Sequence, residues 1–371
     1  MENIKPRRVL QIIGIVCGGG VESVIMNYYR HINRRNVQFD FVVDGKEKSL
    51  LDDEIKSLGG KVHHVTPYKE NIFNYMYDMY KIMRNNEYEI VHDNMNTIAF
   101  FSLLPAWLAN KKIRILHNHT TNVRASKENI KYLLKILLRP FAKFFANRFF
   151  ACSSYAGEWM YGEKMVKNGY VKIINNAIEL EKFSFSYEAR RALRKELGIS
   201  DNTVVIGHVG RFVPQKNHKF LISVFEKYLK VNDDALLILI GEGPLQQETL
   251  KKVEESGFID KVRFLGLCKN VHMWYNAMDV FFLPSLYEGL PLVAIEAQAN
   301  GVPVCMSTLV TKEAFINENC YGLDLSSINQ WCDLINNIQG KRVYDSQQKL
   351  EEIGFSITKE SADLEKFYLE C

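Results

Sequence analysis

Two glutamates, Glu288 and Glu296, stand eight positions apart in the segment DVFFLPSLYEGLPLVAIEAQANGVPV. The apolar run 280–283 predicts a strand that is buried on both faces. The residues that follow predict a helix with Pro291 at its first position and a left-handed cap at Asn300-Gly301. Glu288 therefore falls in the loop after the strand, and Glu296 lies within the helix. Because ligands bind at the carboxyl ends of parallel strands, this loop is a candidate site.

The predicted helix start is suited to an anion. Backbone N–H groups around Gly289 to Leu292 would point out of the helix beside the positive end of its dipole, where phosphate binds. With Glu288 and Glu296 as acceptors on either side, the ligand could be a nucleotide whose sugars offer hydroxyl groups. An ordinary helix with both glutamates in solvent is the alternative, and the spacing alone leaves both interpretations open.

A second loop carries two cations. The predicted strand 204–209 runs into Gly210-Arg211, and Lys216 follows five positions after Arg211. A guanidinium fork and a lysine point charge together suit a diphosphate, although a solvated loop also fits. Another predicted strand, 236–240, ends at Gly241. These strand ends and Gly289 would open onto one cleft.

Composition narrows the class of protein. The chain has 371 residues, 47% of them hydrophobic and 24% charged, which indicates a globular protein of two domains. A net charge of +4 gives no reason to expect nucleic acid as a partner. The seven cysteines lack metal-binding spacing, as expected in the cytoplasm, and no apolar run is long enough to predict a membrane span.

Strands and helices alternate along both halves of the chain, which predicts parallel, doubly wound α/β sheets. The first predicted strand, 9–16, leads into the loop Gly18-Gly19-Gly20, whose backbone a ligand could approach closely. Ser23 stands where a dinucleotide fingerprint needs its third glycine, so a nicotinamide cofactor is not predicted. The domain boundary is expected near residue 180.

Two histidines, His117 and His119, end another predicted strand and share one of its faces. A shared metal is geometrically possible, but no third ligand lies at a recognisable spacing. We predict that His119 is a cleft residue and that no metal binds. The alternative is that backbone groups satisfy the hydrogen-bonding atoms of both rings and that neither histidine has a role in binding.

Residues 128–150 combine positive charge with a strongly apolar helix. Basic residues recur at every fourth position, and leucine, isoleucine and phenylalanine fill the other faces. The basic residues are Lys131, Lys135, Arg139 and Lys143. Helices of this kind lie on anionic membranes, which would make the protein peripheral on the inner face of the cell membrane. A core helix with a solvated lysine ridge is the alternative.

The segments GHVGRF, QKNH, LILIGEGP, VRFLG and the Glu288 segment, together with the loop CGGGVE, resemble the retaining GT-B glycosyltransferases of family 4. The most similar members act in capsule and exopolysaccharide synthesis. The resemblance implies two Rossmann-like domains, 1–180 and 181–354, that face a central cleft. It also implies a terminal helix, 355–371, that crosses back to pack on the first domain.

The resemblance implies roles for individual residues. Arg211 and Lys216 would bind the donor diphosphate, Glu288 would lie near the transferred sugar, and Glu296 would bind the ribose hydroxyls. His119 would touch the donor sugar. The implied catalytic residues are Glu288, His119, Arg211 and Lys216. The implied donor-binding residues are Gly19, Gly20, Gly210, Arg211, Lys216, Gly241, Glu288, Gly289, Leu290, Pro291 and Glu296. Segment 175–179 resembles the family's hinge, with three substitutions.

The expected activity is transfer of a hexose from a nucleotide-sugar donor, with UDP as the expected nucleotide and with retention of configuration. Neither a metal nor another cofactor is expected. The expected acceptor is a saccharide, linked to a polyprenyl lipid. A catalytically silent GT-B partner subunit is one alternative. A GT-B sugar phosphorylase or nucleotide-sugar epimerase is the other.

Overall fold

The computed structural model describes residues 5–16, 19–119 and 130–371. The chain forms two compact units. Unit 1 comprises Met1–Ala177 together with Ser356–Cys371, and unit 2 comprises Ile178–Phe355. The chain therefore passes from unit 1 to unit 2 within the segment 175–179.

Each unit contains one sheet in which every strand pairing is parallel. The strands of unit 1 are β1 Arg7–Gly14, β2 Val37–Asp44, β3 Val62–Val65, β4 Ile90–Asp93, β5 Ile113–Asn118, β6 Arg148–Ala151 and β7 Val171–Ile173. Those of unit 2 are β8 Val204–Val209, β9 Ala235–Ile240, β10 Val262–Phe264, β11 Val280–Leu283, β12 Val304–Ser307 and β13 Cys320–Leu323. The strand orders are β3-β2-β1-β4-β5-β6-β7 and β10-β9-β8-β11-β12-β13. Both orders reverse direction beside the first strand of the unit, as in doubly wound folds.

Helices connect successive strands. In chain order they are α1 Gly20–His31, α2 Asp52–Ser57, α3 Ile72–Asn85, α4 Phe100–Leu108, α5 Ile130–Phe145, α6 Ser154–Tyr161, α7 Glu163–Lys167, α8 Tyr187–Glu196, α9 His218–Leu229, α10 Gln246–Glu255, α11 Val271–Trp274, α12 Leu292–Asn300, α13 Ile328–Ile338, α14 Ser346–Glu352 and α15 Ile357–Glu370. The predicted α/β class with two Rossmann-like units is confirmed.

The central strands are covered on both faces. All six residues of β9 are apolar and buried. All eight residues of β2 are buried as well, although Gln38, Asp40 and Asp44 are polar. In unit 1 the ring of Tyr29, on α1, stacks on Phe39 of β2 with a centroid separation of 5.2 Å. In unit 2 the fully buried Trp331 of α13 packs edge-on against Phe282 of β11 at 5.0 Å. These contacts pack helices against the faces of both sheets.

The last helix, α15, packs on the first unit, as predicted. Arg7 at the start of β1 donates hydrogen bonds to the carbonyls of Tyr368 and Cys371, at 2.8 and 2.7 Å. The Tyr368 ring meets Phe39 edge-on at a centroid distance of 5.7 Å. Unit 1 is therefore built from two separate stretches of the chain.

Helix α5 continues through Pro140 to Phe145, and residues 128–129 lie outside the described residues. The expected basic ridge is only partly a surface feature. Arg139 donates to the carbonyl of Trp159 at 2.7 Å, and Lys143 donates to that of Tyr161 at 3.1 Å. Two of the four basic residues thus also contact α6, whereas the side chains of Lys131 and Lys135 lie outside the described ones, so the membrane-facing ridge stays a prediction.

Another face of α5 carries an exposed apolar stripe, defined by Leu134, Leu137, Phe141 and Phe144. Their exposed fractions are 54%, 61%, 49% and 77%. Spacings of three and four residues place them along one side of the helix. Trp107, which is 49% exposed, extends the stripe through its contact with Phe145. Within the described residues, no helix combines the length and apolarity that crossing a membrane requires.

The predicted start of the helix after β11 is wrong by one residue. Pro291 is the capping residue just before α12, which begins at Leu292, rather than the first helical residue. The helix is followed by β12, Val304–Ser307. The predicted left-handed cap is confirmed, because Gly301 has a φ of 77°.

We predict that Gly301→Ala destabilises unit 2. A left-handed conformation costs a non-glycine residue about 1–2 kcal/mol, and an added Cβ would lie 1.9 Å from the carbonyl oxygen of Val343. Thermal unfolding should show a lower melting temperature than in Gly257→Ala, the matched control. Gly257 has a φ of 78° with no atom within 4 Å of an added Cβ. Equal melting temperatures for the two variants would contradict the close contact.

Candidate functional site

The predicted site residues of unit 2 lie at the carboxyl edge of its sheet. Gly210 follows β8 and Gly241 follows β9, and the two strands are neighbours. A Cβ on Gly241, whose φ is 132°, would lie 2.3 Å from the carbonyl oxygen of Gly210. Only glycine permits the two backbone segments to approach this closely, and the approach brings the loops after β8 and β9 together.

Lys216 and Glu288 form an ion pair between the loops after β8 and β11. Lys216 Nζ lies 2.6 Å from Glu288 Oε1, and the two side chains are only 15% and 10% exposed. A Cβ on Gly210 would lie 3.2 Å from Lys216 Cδ and Cε, so the lysine stem packs over this glycine. The structure therefore brings together Gly210, Lys216 and Glu288, three of the predicted site residues.

Gln215 is part of this arrangement and was not predicted from the sequence. Its side-chain amide donates to Glu288 Oε2 at 3.0 Å and to the carbonyl of Tyr287 at 2.9 Å. Its carbonyl accepts a hydrogen bond from the Leu286 N–H at 2.8 Å. Both carboxylate oxygens of Glu288 are thus held by side chains of the β8 loop. The available signal was the position of Gln215 beside Lys216.

The start of α12 lies directly after this pair. Pro291, the capping residue, makes no side-chain hydrogen bond to the first turn of the helix, where the backbone N–H groups have no acceptor within the helix itself. Leu290 and Pro291 are buried, Gly289 is half-buried, and Arg211 is exposed beside Gly210. Because the helix dipole favours negative charge here, this edge can hold an anion next to Lys216.

Glu296 lies inside α12 and is bonded to Tyr275, another residue that the sequence did not indicate. The Tyr275 hydroxyl donates to Glu296 Oε2 at 2.8 Å. Burial raises the pKa of the Glu296 carboxyl, and the Tyr275 hydroxyl and the charges of Lys182 and Lys216 offset part of this rise. The carboxylate keeps further acceptor capacity, as hydroxyl recognition requires.

Several buried polar atoms at the same edge have no hydrogen-bond partner in the described part of the chain. They include Ser285 Oγ, just after β11, His208 Nε2, on β8, and both ring nitrogens of His218, at the start of α9. The other ring nitrogen of His208, Nδ1, lies 2.8 Å from the carbonyl oxygen of Phe282. Since buried polar atoms are normally paired, the edge can accept additional polar groups.

In unit 1, Gly19 and Gly20 lie at the start of α1. Gly20 is the first helical residue and Gly19 precedes it. The N–H of Gly19 donates to the carboxylate of Glu22, so one backbone donor of the glycine loop is already engaged. An added Cβ on Gly20 would meet no atom within 4 Å. Cys17 and Gly18 lie outside the described residues.

The predicted His119 belongs to a buried group of polar side chains, which we call the histidine network. Its members are Gln11, His92, Asn94, His117, His119 and Tyr368. His119 Nε2 lies 3.0 Å from Asn94 Oδ1, so a side chain rather than backbone satisfies this nitrogen. Among the described residues, no group of three or more His, Cys, Asp or Glu side chains could hold a metal ion.

Two Rossmann-like units with parallel sheets define the GT-B fold of glycosyltransferases. The chain superposes on the crystal structure of Anabaena HepE with a TM-score of 0.79 and 17% identity, covering 97% of this chain and 98% of that one. Sucrose-phosphate synthase from Thermosynechococcus elongatus gives a TM-score of 0.78 and 17% identity, covering 98% of each chain. These likenesses establish the fold.

Sequence comparison establishes the family. Residues 18–182 match the profile described as Glycosyltransferase Family 4, and residues 189–322 match that of Glycosyl transferases group 1. The chain is 31% identical to the putative glycosyltransferase EpsF of Bacillus subtilis, over 84% of this chain and 82% of that protein. The chain belongs to the family 4 glycosyltransferases, as the resemblance predicted.

We predict that Glu296→Gln stabilises the protein at neutral pH but not in acid. The folded state raises the pKa of this carboxyl, so stability falls as the pH rises through and above the ordinary carboxyl range. Glutamine removes that loss. The melting temperature of the variant should exceed that of the wild type at about pH 8, and the difference should vanish near about pH 4.

Glu254→Gln, at an exposed position of α10, controls for the loss of one formal charge. The expected effect of burial would be contradicted if Glu296→Gln raised the melting temperature equally at both pH values. It would also be contradicted if Glu254→Gln raised the melting temperature by the same amount.

Proposed function

We propose that the protein transfers a hexose from a UDP-sugar to a saccharide acceptor, with retention of configuration and without a metal ion. The observation that carries this proposal is the Lys216–Glu288 pair beside the uncapped start of α12. It combines a cation and helix N–H groups for a leaving diphosphate with a carboxylate for a sugar hydroxyl.

The leaving group is the centre of the proposed mechanism. When the bond between the sugar and the diphosphate breaks, negative charge grows on the diphosphate. Arg211, Lys216 and the start of α12 stabilise that charge, so the chain's own groups do the work that a divalent cation does elsewhere. Glu288 orients the transferred sugar rather than attacking it, because Lys216 and Gln215 already hold both of its oxygens. The acceptor hydroxyl then attacks from the face that the diphosphate leaves, and its proton passes to the departing diphosphate oxygen.

Related proteins support the nature of both substrates. The chain is 25% identical, over 95% of its length and 94% of the relative's, to the Escherichia coli UDP-Gal:alpha-D-GlcNAc-diphosphoundecaprenol alpha-1,3-galactosyltransferase. It is 23% identical, over 98% of each chain, to the Staphylococcus aureus capsular polysaccharide biosynthesis glycosyltransferase CapH. The HepE structures of the same fold contain UDP or UDP-glucose. We infer a lipid-linked saccharide acceptor and a role in cell-surface polysaccharide synthesis.

A lipid-linked acceptor requires access to a membrane surface. The apolar stripe on α5 supplies a surface that can enter the lipid interface, with Trp107 beside it. Because α6 occupies Arg139 and Lys143, we assign most of the membrane affinity to the stripe rather than to the basic ridge. The protein would then be peripheral on the cytoplasmic face of the membrane.

The activity is tested by incubating the protein with UDP-hexoses and a polyprenyl-diphosphate-linked sugar in the presence of a chelator. The proposal expects release of UDP together with a product whose anomeric configuration, read by NMR coupling constants, matches that of the donor. Release of sugar phosphate would indicate a phosphorylase, and no reaction with any donor would indicate a silent subunit. Inversion or loss of activity with the chelator would contradict the mechanism.

We predict that Lys216→Gln weakens UDP binding and slows transfer. A charge-assisted hydrogen bond is worth about 1.5–3 kcal/mol, which corresponds to about ten- to a hundredfold in affinity. Isothermal titration calorimetry and the transfer assay would measure both effects. Lys219→Gln is the control, because Lys219 is exposed in the first turn of α9. Equal UDP affinities of the two variants would remove Lys216 from the proposed site.

We predict that the double substitution Leu137→Glu and Phe144→Glu abolishes sedimentation with vesicles. Both side chains lie in the apolar stripe, and a carboxylate there opposes entry into the lipid interface. The measurement is co-sedimentation with anionic vesicles at low salt. Phe73→Glu is the control, since Phe73 is 81% exposed but lies on α3. A wild-type protein that does not sediment, or a control that loses binding equally, would contradict the membrane proposal.

A further inference from the structure

The family resemblance implies a role for His119 alone, and the proposed mechanism leaves the other members of the histidine network unexplained. All six side chains are buried, with exposed fractions of 9% or less. Their hydrogen bonds run from Tyr368 on α15 to the ends of β4 and β5. Burial lowers the pKa of His92 and of His119 to about 3 and that of His117 well below its usual value. All three rings are therefore neutral, and each carries one proton.

The orientation of the Asn94 side-chain amide decides which group donates in each hydrogen bond of the network. Asn94 Nδ2 lies 3.3 Å from the backbone carbonyl oxygen of His92, which can only accept, and 3.1 Å from Gln11 Oε1. Asn94 Oδ1 must then accept from His119 Nε2, at 3.0 Å. His119 consequently carries its proton on Nε2, and its Nδ1 is a bare acceptor.

The same reasoning fixes the hydrogen bonds that run from Gln11 through Tyr368 and His92 to His117. Since Gln11 Oε1 accepts from Asn94, Gln11 Nε2 donates to the Tyr368 hydroxyl at 3.1 Å. The hydroxyl then donates its own proton to His92 Nδ1 at 2.5 Å. His92 therefore carries its proton on Nε2 and donates to His117 Nδ1 at 3.1 Å. His117 in turn carries its proton on Nε2.

The path from Asn94 to His119 and the path from Gln11 to His117 end in complementary groups. His117 Nε2 is an N–H donor and His119 Nδ1 is an acceptor, and neither has a partner in the described ranges 5–16, 19–119 and 130–371. The two rings are neighbours, with centroids 3.9 Å apart. A sugar hydroxyl both accepts and donates, so one such group can satisfy both nitrogens.

We propose that Tyr368, Gln11 and Asn94 are positioning residues that fix the tautomers of His117 and His119, so that the two rings present one donor and one acceptor to a hydroxyl of the sugar substrate. The choice of a sugar hydroxyl rests on the proposed function. The tautomers do not, because they follow from hydrogen bonds within unit 1.

The tautomers are tested directly by long-range proton–nitrogen NMR spectra of the full chain labelled with ¹⁵N in its nine histidines. His92→Gln, His117→Gln and His119→Gln variants would assign the signals. The proposal expects the Nε2–H form at all three positions at neutral pH. An Nδ1–H form at His119 would overturn it, because the network would then run in the opposite direction.

Variants of Asn94 separate positioning from general destabilisation. Asn94→Leu removes the acceptor for His119, so we expect a mixture of His119 tautomers and a drop in kcat of about tenfold, with a smaller change in KM. Asn94→Asp keeps an acceptor oxygen for His119 Nε2–H and should restore the tautomer. Asn94→Leu spectra and kcat like those of the wild type would overturn the proposal.

Tyr368→Phe removes the hydroxyl that orients His92. It is expected to change the His92 signals and to lower kcat several-fold. Tyr161→Phe is the matched control. Its buried hydroxyl, in the same unit, shares its one proton between the carbonyl oxygens of Leu116 and Phe150, at 2.6 and 2.8 Å, and none of these groups belongs to the network. Equal effects of the two variants would overturn the positioning role. If the predicted tautomers appear in a protein that transfers no sugar, the sugar-hydroxyl assignment is overturned together with the proposed function, whereas the tautomer assignment stands.

Discussion

The ion pair between Lys216 and Glu288 is the interaction on which the site in unit 2 depends. It joins two loops that are 72 residues apart in the chain and removes both charges from most of the solvent. A buried charge without a partner is costly, and the pair together with the Gln215 hydrogen bond offsets that cost. The cation is thus desolvated and in position before any anion binds, which is the condition for electrostatic stabilisation without reorganisation.

Features that follow from local pattern were predictable from the sequence. The two parallel sheets follow from apolar runs such as 280–283, because a strand covered on both faces needs apolar side chains throughout. Glycines at strand ends indicated where two backbone segments approach closely, as Gly241 and Gly210 do. The start of α12 was missed by one residue, because a missing N–H at Pro291 is tolerated equally just before a helix and at its first position.

Features that arise from contacts between distant segments were not predictable. Gln215 reaches Glu288 across 73 residues, Tyr275 reaches Glu296 across 21, and Asn94 reaches His119 across 25. No periodicity marks such residues, because their side chains act through the packing of whole elements. For the same reason the four-residue spacing in α5 revealed a basic face but not that Arg139 and Lys143 donate hydrogen bonds to carbonyl groups of α6. Periodicity identifies a face, and tertiary contacts decide what covers it.

The division of unit 1 into two chain segments has a consequence for biosynthesis. Gln11 and His92 leave the ribosome early, whereas Tyr368, to which both are bonded, is 357 and 276 residues further along. All of unit 2, Ile178–Phe355, is translated in between and is free to fold first. Until α15 arrives, the polar centre of the first sheet lacks a partner that it needs for burial. Unit 2 is therefore expected to complete its folding before unit 1, although synthesis of the chain begins with unit 1.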